Sequence, residues 1–214
     1  MVKPNCSLQS YVPVLAALRD YGPERVFVTT FQAISGSGKR LNECPEIMGN
    51  VIPLKGEEEK SEQEPLKILG TLGNSGIENE EGLKISAHCN RVPVEDGHLA
   101  AVSVGFREKP PLEAVKRALT EWQPEPQRLN LPSAPHPFLT YIEGDDRPQS
   151  RLDHMVGNGM GLAVGRLREC PVLDVRFMAL SHNTIRGAAG GAILTAELLY
   201  NKGYIRGMGT HETH

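Results

Sequence analysis

Apolar positions along this chain follow two rhythms, and the switches between them mark its elements. Val12, Leu15 and Ala16 recur at helical spacing, which predicts a helix over Val12 to Leu18. Ser10 stands where an N-cap belongs, and Pro13 falls in the first turn, where a missing N–H does no harm. Gly22-Pro23 stops that helix, and the β-branched and aromatic run Arg25 to Gln32 then reads as a strand. Leu83, Ile85, Ala87 and Cys89 alternate as the inner face of a half-buried strand over Leu83 to Asn90, and His98 to Phe106 reads as another. Pro111 to Trp122 returns to helical spacing, with Val115, Ala118, Leu119 and Trp122 on one face. After the irregular, proline-rich stretch Gln123 to Pro137 come three strand candidates: Phe138 to Glu143, Gly161 to Leu167 and Val172 to Leu180. A last helix, Gly187 to Tyr200, carries Ala189, Ala192, Ile193, Ala196 and Leu199 in register. Its Gly190 and Gly191 each cost roughly 1 kcal/mol relative to Ala, a pair that close approach of another group explains. Strands following strands, with helices at the start, middle and end, predict an α+β fold: a mixed, largely antiparallel sheet covered by helices.

Composition narrows the class. The 214 residues are 39% hydrophobic and 23% charged, with a net charge of -3, an ordinary balance for a globular domain and not a nucleic-acid footprint. No apolar run has the length of a membrane span, and Met1 to Ser10 has no signal-peptide core. Cys6, Cys44, Cys89 and Cys170 lie far apart with no CxxC pair, which predicts reduced thiols, no structural zinc and a cytoplasmic setting. The run Lys55 to Pro65 (KGEEEKSEQEP) reads as a solvated loop or an exposed helix start. Gly207 to His214 has no apolar pattern and reads as a disordered tail, in which His211 and His214 lack a third ligand for a metal.

The string GSGK in TTFQAISGSGKR invites a phosphate-loop reading. A Walker A loop needs Gly where Ala33 stands and Ser or Thr where Arg40 stands, so that reading fails at two of four positions. Other residues carry more chemistry. Cys6 lies just ahead of the first helix, where a helix N-terminus favours a thiolate; a small buried hydrophobe is the plainer reading. Arg91 ends one strand and His98 opens the next, so a connected pair of strands would bring both to one end of a sheet. Such a pair suits holding a carboxylate while moving a proton. Gln32 ends a strand at a glycine loop, Glu57 and Lys60 form an i,i+3 pair, and Asn183 and Arg186 precede a helix start suited to an anion or to capping by Asn183 or Thr184.

The strings PNCS, TTFQAISGSG, EEEK, HCNRVPVEDGH and HNTIRGAAGGAILTAEL stand in this order across roughly Asn5 to Tyr204. In combination they resemble the aspartate-semialdehyde dehydrogenases, most nearly the branch shared by archaea and fungi. The resemblance implies NADP-dependent reductive dephosphorylation of β-aspartyl phosphate to aspartate β-semialdehyde, on the route to lysine, threonine and methionine. It implies Cys6 as the nucleophile that forms a thioester, His98 as general acid/base and Gln32 as the side chain that orients the substrate. Arg91 is implied as the α-carboxylate clamp, with Asn5, Glu57 (or Glu58) and Lys60 also at the substrate, and Ser35, Gly36 and Asn183 near the cofactor. A near-neutral imidazole would take the thiol proton and return it later.

One departure is large. The family's members open with a dinucleotide-binding domain and its glycine fingerprint, and no G-x-G-x-x-G occurs here. The expectation is therefore a catalytic and dimerisation domain over residues 1–206, with NADP bound mostly by a domain this sequence lacks, and little turnover by this chain alone. A homodimer or homotetramer is expected, with phosphate and a small substrate as the other partners and neither nucleic acid nor membrane. Two alternatives stay open: a related acyl reductase such as a malonyl-CoA reductase, and a dimerisation module without catalysis.

Overall fold

The computed structural model describes residues 4–205, so the expected tail with His211 and His214 lies outside them. A 3₁₀ turn, Cys6–Ser10, leads into helix α1, Val12–Ala17. Tyr11, not Ser10, sits at the N-cap, because the Ser10 hydroxyl instead donates to the Ser7 carbonyl at 2.6 Å. Pro13 does fall in the first turn. Strand β1 (Pro23–Gln32) follows a left-handed Gly22. Short 3₁₀ turns and the two-residue strand β2 (Ile52–Pro53) lead to helix α2 (Glu57–Ile68). A small hairpin, β3 (Thr71–Gly73) and β4 (Gly76–Glu78), precedes β5 (Lys84–Arg91), β6 (His98–Phe106) and α3 (Leu112–Glu121). The proline-rich stretch contains one short helix, α4 (Glu125–Arg128), and β7 (Leu139–Ile142) follows it. Then come α5 (Ser150–Asp153), β8 (Leu162–Glu169), β9 (Val175–Ser181), a π-helical turn Ile185–Ala189 and α6 (Gly190–Asn201).

Seven strands form one sheet in the order β2-β5-β1-β6-β9-β8-β7. Only β1–β5 and β7–β8 pair in parallel, so the expected mixed, largely antiparallel sheet is what forms. One face carries the core: Val26, Val28, Ala100, Val102, Val104, Phe177 and Ala179 pack under Leu8, Val14 and Leu15 of the first turns and Val115 and Leu119 of α3. The other face is open among the described residues. Phe27 is 52% exposed there, and a shallow groove of about 260 Å³ runs along it between Thr29, Ser86, Ala101, Arg168 and Met178.

The expected pairing of β5 with β6 does not occur, because β1 lies between them. The connection from Arg91 to His98 instead steps over the end of β1, held by Val92 N–H to the Gln32 carbonyl (3.1 Å) and Ile34 N–H to the Val94 carbonyl (2.8 Å). β1 and β5 therefore end, and β6 begins, at the same edge of the sheet.

The acidic run is a helix, and two of its carboxylates close a strand edge. β2 pairs only with Arg91 and Asn90, which leaves the rest of that side of β5 to α2. Glu58 accepts from the Cys89 N–H at 3.1 Å and Glu62 from the Ala87 N–H at 3.0 Å. The match is geometric: four residues of helix rise about 6 Å and two residues of strand about 6.7 Å, so an i,i+4 carboxylate pair stands in for a missing strand. Tyr11 ties α1 to the same helix by donating to the Ser61 carbonyl at 2.8 Å.

Replacing Glu58 or Glu62 by Ala leaves a partly buried amide unpaired. Each change is expected to cost about 1–3 kcal/mol in urea unfolding, with Glu→Gln much milder because the amide oxygen still accepts. If these are ordinary surface residues, all four variants will stay within about 0.5 kcal/mol of the parent.

Candidate active site

The site gathers at the edge where β1 and β5 end. Cys6 heads a five-residue 3₁₀ turn, and α1 starts only at Val12. The helix start expected to polarise its sulfur is therefore not there, and nearby side chains supply the electrostatics instead. Cys6 Sγ lies 3.4 Å from His98 Nε2. Arg91 and Lys60 both lie near enough to feel charge on the thiol.

Asn5 fixes the turn that carries Cys6. Its Oδ1 accepts from the Ser7 N–H and hydroxyl, both at 2.9 Å. Its own N–H donates to Glu64 (2.9 Å) and its Nδ2 to Glu57 (2.8 Å). Glu57 also accepts from Lys60 at 2.9 Å and lies beside Gln32. Burial alone would raise the Glu57 pKa, but Lys60, Asn5 and Gln32 together hold it below the usual carboxylate range. Glu58 points away to the β5 edge, so of the two glutamates Glu57 faces the site. Glu64 was not anticipated, although its i+7 spacing from Glu57 places both on one helix face.

On the sheet side, Gln32 and Arg91 are register partners, and Gln32 is buried. Arg91 Nη1 donates to the Ala33 carbonyl at 2.6 Å, and desolvation lowers its pKa. His98 is wholly buried, and its Nδ1 accepts from the Ala33 N–H at 3.0 Å. Burial first, and then the Arg91 charge, push its pKa down to about 3. The near-neutral imidazole expected from the sequence is thus not what this site makes.

The GSGK loop is a 3₁₀ turn, Ile34–Ser37, closed by a left-handed Gly38. Gly36 is needed by packing: a Cβ there would stand 2.9 Å from His98 Cε1 and 3.0 Å from Arg91 Nη1. Ser35 donates to Asp96 at 2.7 Å and accepts from Asn183 Nδ2 at 2.8 Å, while Asn183 Oδ1 accepts from the Gly97 N–H at 2.9 Å. Asn183 therefore braces two loops and caps no helix. Arg186 is buried behind the site, where its Nε donates to Gln9 at 3.1 Å and its guanidinium stacks on Phe138. Two glycines beyond it admit neighbours. Gly187 lets Cys6 approach, since an added Cβ would lie 2.8 Å from the Cys6 Cβ, and Gly190 makes room for Met160.

Of the residues singled out in the sequence, Asn5, Glu57, Lys60, Gln32, Arg91 and His98 thus gather around Cys6 and Gly36 packs on His98, while Ser35 and Asn183 brace the neighbouring loops. The family model for the semialdehyde dehydrogenase dimerisation domain matches residues 15–186. The aspartate-semialdehyde dehydrogenase of Aspergillus fumigatus is 46% identical over 211 residues, covering 94% of this chain and 58% of that protein. That of Archaeoglobus fulgidus is 44% identical over 200 residues, covering 93% and 57%. The solved structure of the Candida albicans aspartate-semialdehyde dehydrogenase with NADP superposes with a TM-score of 0.85 at 39% identity, covering 95% of this chain and 58% of that one. The chain belongs to the semialdehyde dehydrogenase dimerisation-domain family, and it spans a little over half the length of these relatives.

The depressed pKa of His98 has a consequence for folding. The unfolded ring takes a proton near pH 6.5 and the folded one only near 3, so its contribution is complete above about 6.5 and is lost as pH falls towards 3. The loss has a slope of up to about 1.4 kcal/mol per pH unit. Urea unfolding of the parent between about pH 6 and 4 should therefore weaken more steeply than that of His98→Gln. Parallel slopes would contradict the burial of a neutral ring.

Proposed function

We propose that this member of the family is the acyl-transfer and dimerisation part of an aspartate-semialdehyde dehydrogenase, with Cys6 as its nucleophile. The 3.4 Å contact between Cys6 Sγ and His98 Nε2 carries the reading, because a sulfur beside an imidazole and two cations suits attack on an acyl phosphate. Arg91 would hold the α-carboxylate and Lys60 the phosphate, while Glu57, aimed by Asn5, faces the substrate ammonium. Gln32 would orient the acyl group beside the sulfur. Arg91 with Glu57 and Lys60 favours an amino-acid acyl phosphate over the malonyl thioester of a related reductase.

Ser35, Gly36 and Asn183 fit the reacting end of NADP. Gly36 to Gly38 is exposed backbone nearly bare of side chains, directly over His98. When bound, NADP supplies the hydride. The described residues carry no dinucleotide fingerprint, and the rest of the nucleotide would be held elsewhere. This chain alone should therefore give little or no NADP reduction with aspartate semialdehyde and phosphate; a normal rate would refute that.

Acylation can be tested without the cofactor. Treated with β-aspartyl phosphate, the chain should gain a hydroxylamine-labile acyl group on Cys6, found by peptide mass mapping, and Cys6→Ser should lose it. Labelling shared equally among Cys6, Cys44, Cys89 and Cys170 would favour a module without catalysis.

The open sheet face fits a second copy of the chain. It offers Phe27, Ala101 and Met178 among polar neighbours, the mixture usual at subunit interfaces. Sedimentation should show a dimer that Phe27→Glu dissociates with unchanged far-UV circular dichroism. A dimer indifferent to that charge places the interface elsewhere.

A further inference from the structure

Arg186 is a buried cation that no nearby charge answers. It is 8% exposed, and burial alone pushes its pKa down, to about 10. Its Nε donates to Gln9 Oε1 at 3.1 Å, and its guanidinium lies 4.1 Å from the centre of the Phe138 ring. The ring offsets part of the lost hydration, but it accepts nothing from N–H groups directed along the guanidinium plane. Nη1 is buried and meets no acceptor among the described residues. Elsewhere in the chain such cations are paired: Arg147 with Asp153, and Arg91 with the Ala33 carbonyl. A buried charge left with an open N–H is costly unless a ligand supplies the acceptor.

The guanidinium lines a cleft of about 190 Å³ together with Gln9, Phe138, Leu194, Thr195 and Leu198, and none of the lining side chains is acidic. The cleft shares no residue with the cluster around Cys6. An arginine can only donate, so Gln9 gives it the amide oxygen and keeps its NH₂ group as a second donor. The Thr195 hydroxyl has spent its hydrogen on the Gly191 carbonyl at 2.7 Å. A guanidinium fork matches a carboxylate, whose two oxygens need no more than these donors. The further oxygens of a phosphate would face leucine side chains unpaired. The volume lies below the roughly 300–1,000 Å³ of pockets for larger ligands, and suits a short aliphatic chain.

We propose that Arg186 and Gln9 form a carboxylate-binding site, distinct from the Cys6 cluster, that takes a short aliphatic acid with its chain against Leu194 and Leu198. A free monocarboxylate and a glutamate side chain from another polypeptide carry the same head group. The site lies behind the Cys6 turn: Gln9 belongs to that turn, and Gly187, next to Arg186, packs on the Cys6 Cβ. A carboxylate held by Gln9 and Arg186 ties those two segments together. None of this depends on the reaction proposed above.

Titration of the ¹⁵N-labelled chain with sodium butyrate at constant ionic strength tests the site. The Arg186 Nε–H resonance should shift saturably, with half-saturation at roughly 1–10 mM for so small a ligand. Sodium chloride and inorganic phosphate should not reproduce the shift. The resonance is identified by its loss in Arg186→Lys or, should that variant not fold, by its through-space contact with the Phe138 ring. Gln9→Ala, which removes the second donor, should weaken butyrate binding about threefold to tenfold. Amide hydrogen exchange in the Cys6–Ser10 turn should slow as butyrate binds. N-acetyl-glutamate-N-methylamide tells the two sources apart: saturation like that of butyrate means that a protein side chain fits the cleft, and exclusion means that only a free acid does. A drift without saturation up to about 50 mM butyrate, or an equal shift with chloride, would overturn the proposal and leave Arg186 hydrated by water alone.

Discussion

The site depends on one residue that contributes no side-chain chemistry. At the end of β1 the main chain of Ala33 donates to His98 and accepts from Arg91. It is fully buried, so neither bond competes with water. A strand end gives this service better than a loop, because its direction is set by two flanking strands. β1 has β5 on one side and β6 on the other, and those strands carry Arg91 and His98. Both side chains are therefore indexed to the same backbone that holds Gln32.

The second framework element is α2, which acts on two sides. Glu57 and Glu64 reach Asn5 and so fix the turn of Cys6, while Glu58 and Glu62 close the open side of β5. Because β5 carries Arg91, one helix fixes both Cys6 and a cation facing it. The packing of α2 along β5 thus sets the distance across the site, as a shift of either element would move Cys6 against Arg91.

Much of this was legible in the sequence where local pattern and local structure agree. The strand His98–Phe106 and the helix around Val115 follow their periodicity, since one face of each is buried in the core. The candidate residues were marked by short strings, which record what stands together but not how. What could not be read depends on tertiary partners. The non-adjacency of β5 and β6 follows from the insertion of β1, which no spacing between Arg91 and His98 reveals. The acidic run looked like a solvated surface because carboxylates accepting from a strand edge leave the same composition as carboxylates in water. The Ser10 hydroxyl found a carbonyl one turn back and left the cap to Tyr11. The hairpin β3–β4 exposes Leu72 and Ile77, so no burial pattern announces it.

The pKa of His98 departs furthest from the expectation, because burial strips the ring of water and the Arg91 charge beside it then acts in the same direction. Arg91 stands near the sulfur, itself already partly stripped of water. A cation so placed raises the cost of a second one, so the imidazole next to it stays neutral. Glu57 acts in the opposite sense on His98, but its carboxylate is already engaged by Lys60 and Asn5. Around Cys6 the Arg91 and Lys60 cations are thus matched by the Glu57 and Glu64 carboxylates, while the ring bears no charge. A charged imidazolium would have to face the Arg91 guanidinium at close quarters. A ring without charge lets both groups occupy the same few ångströms.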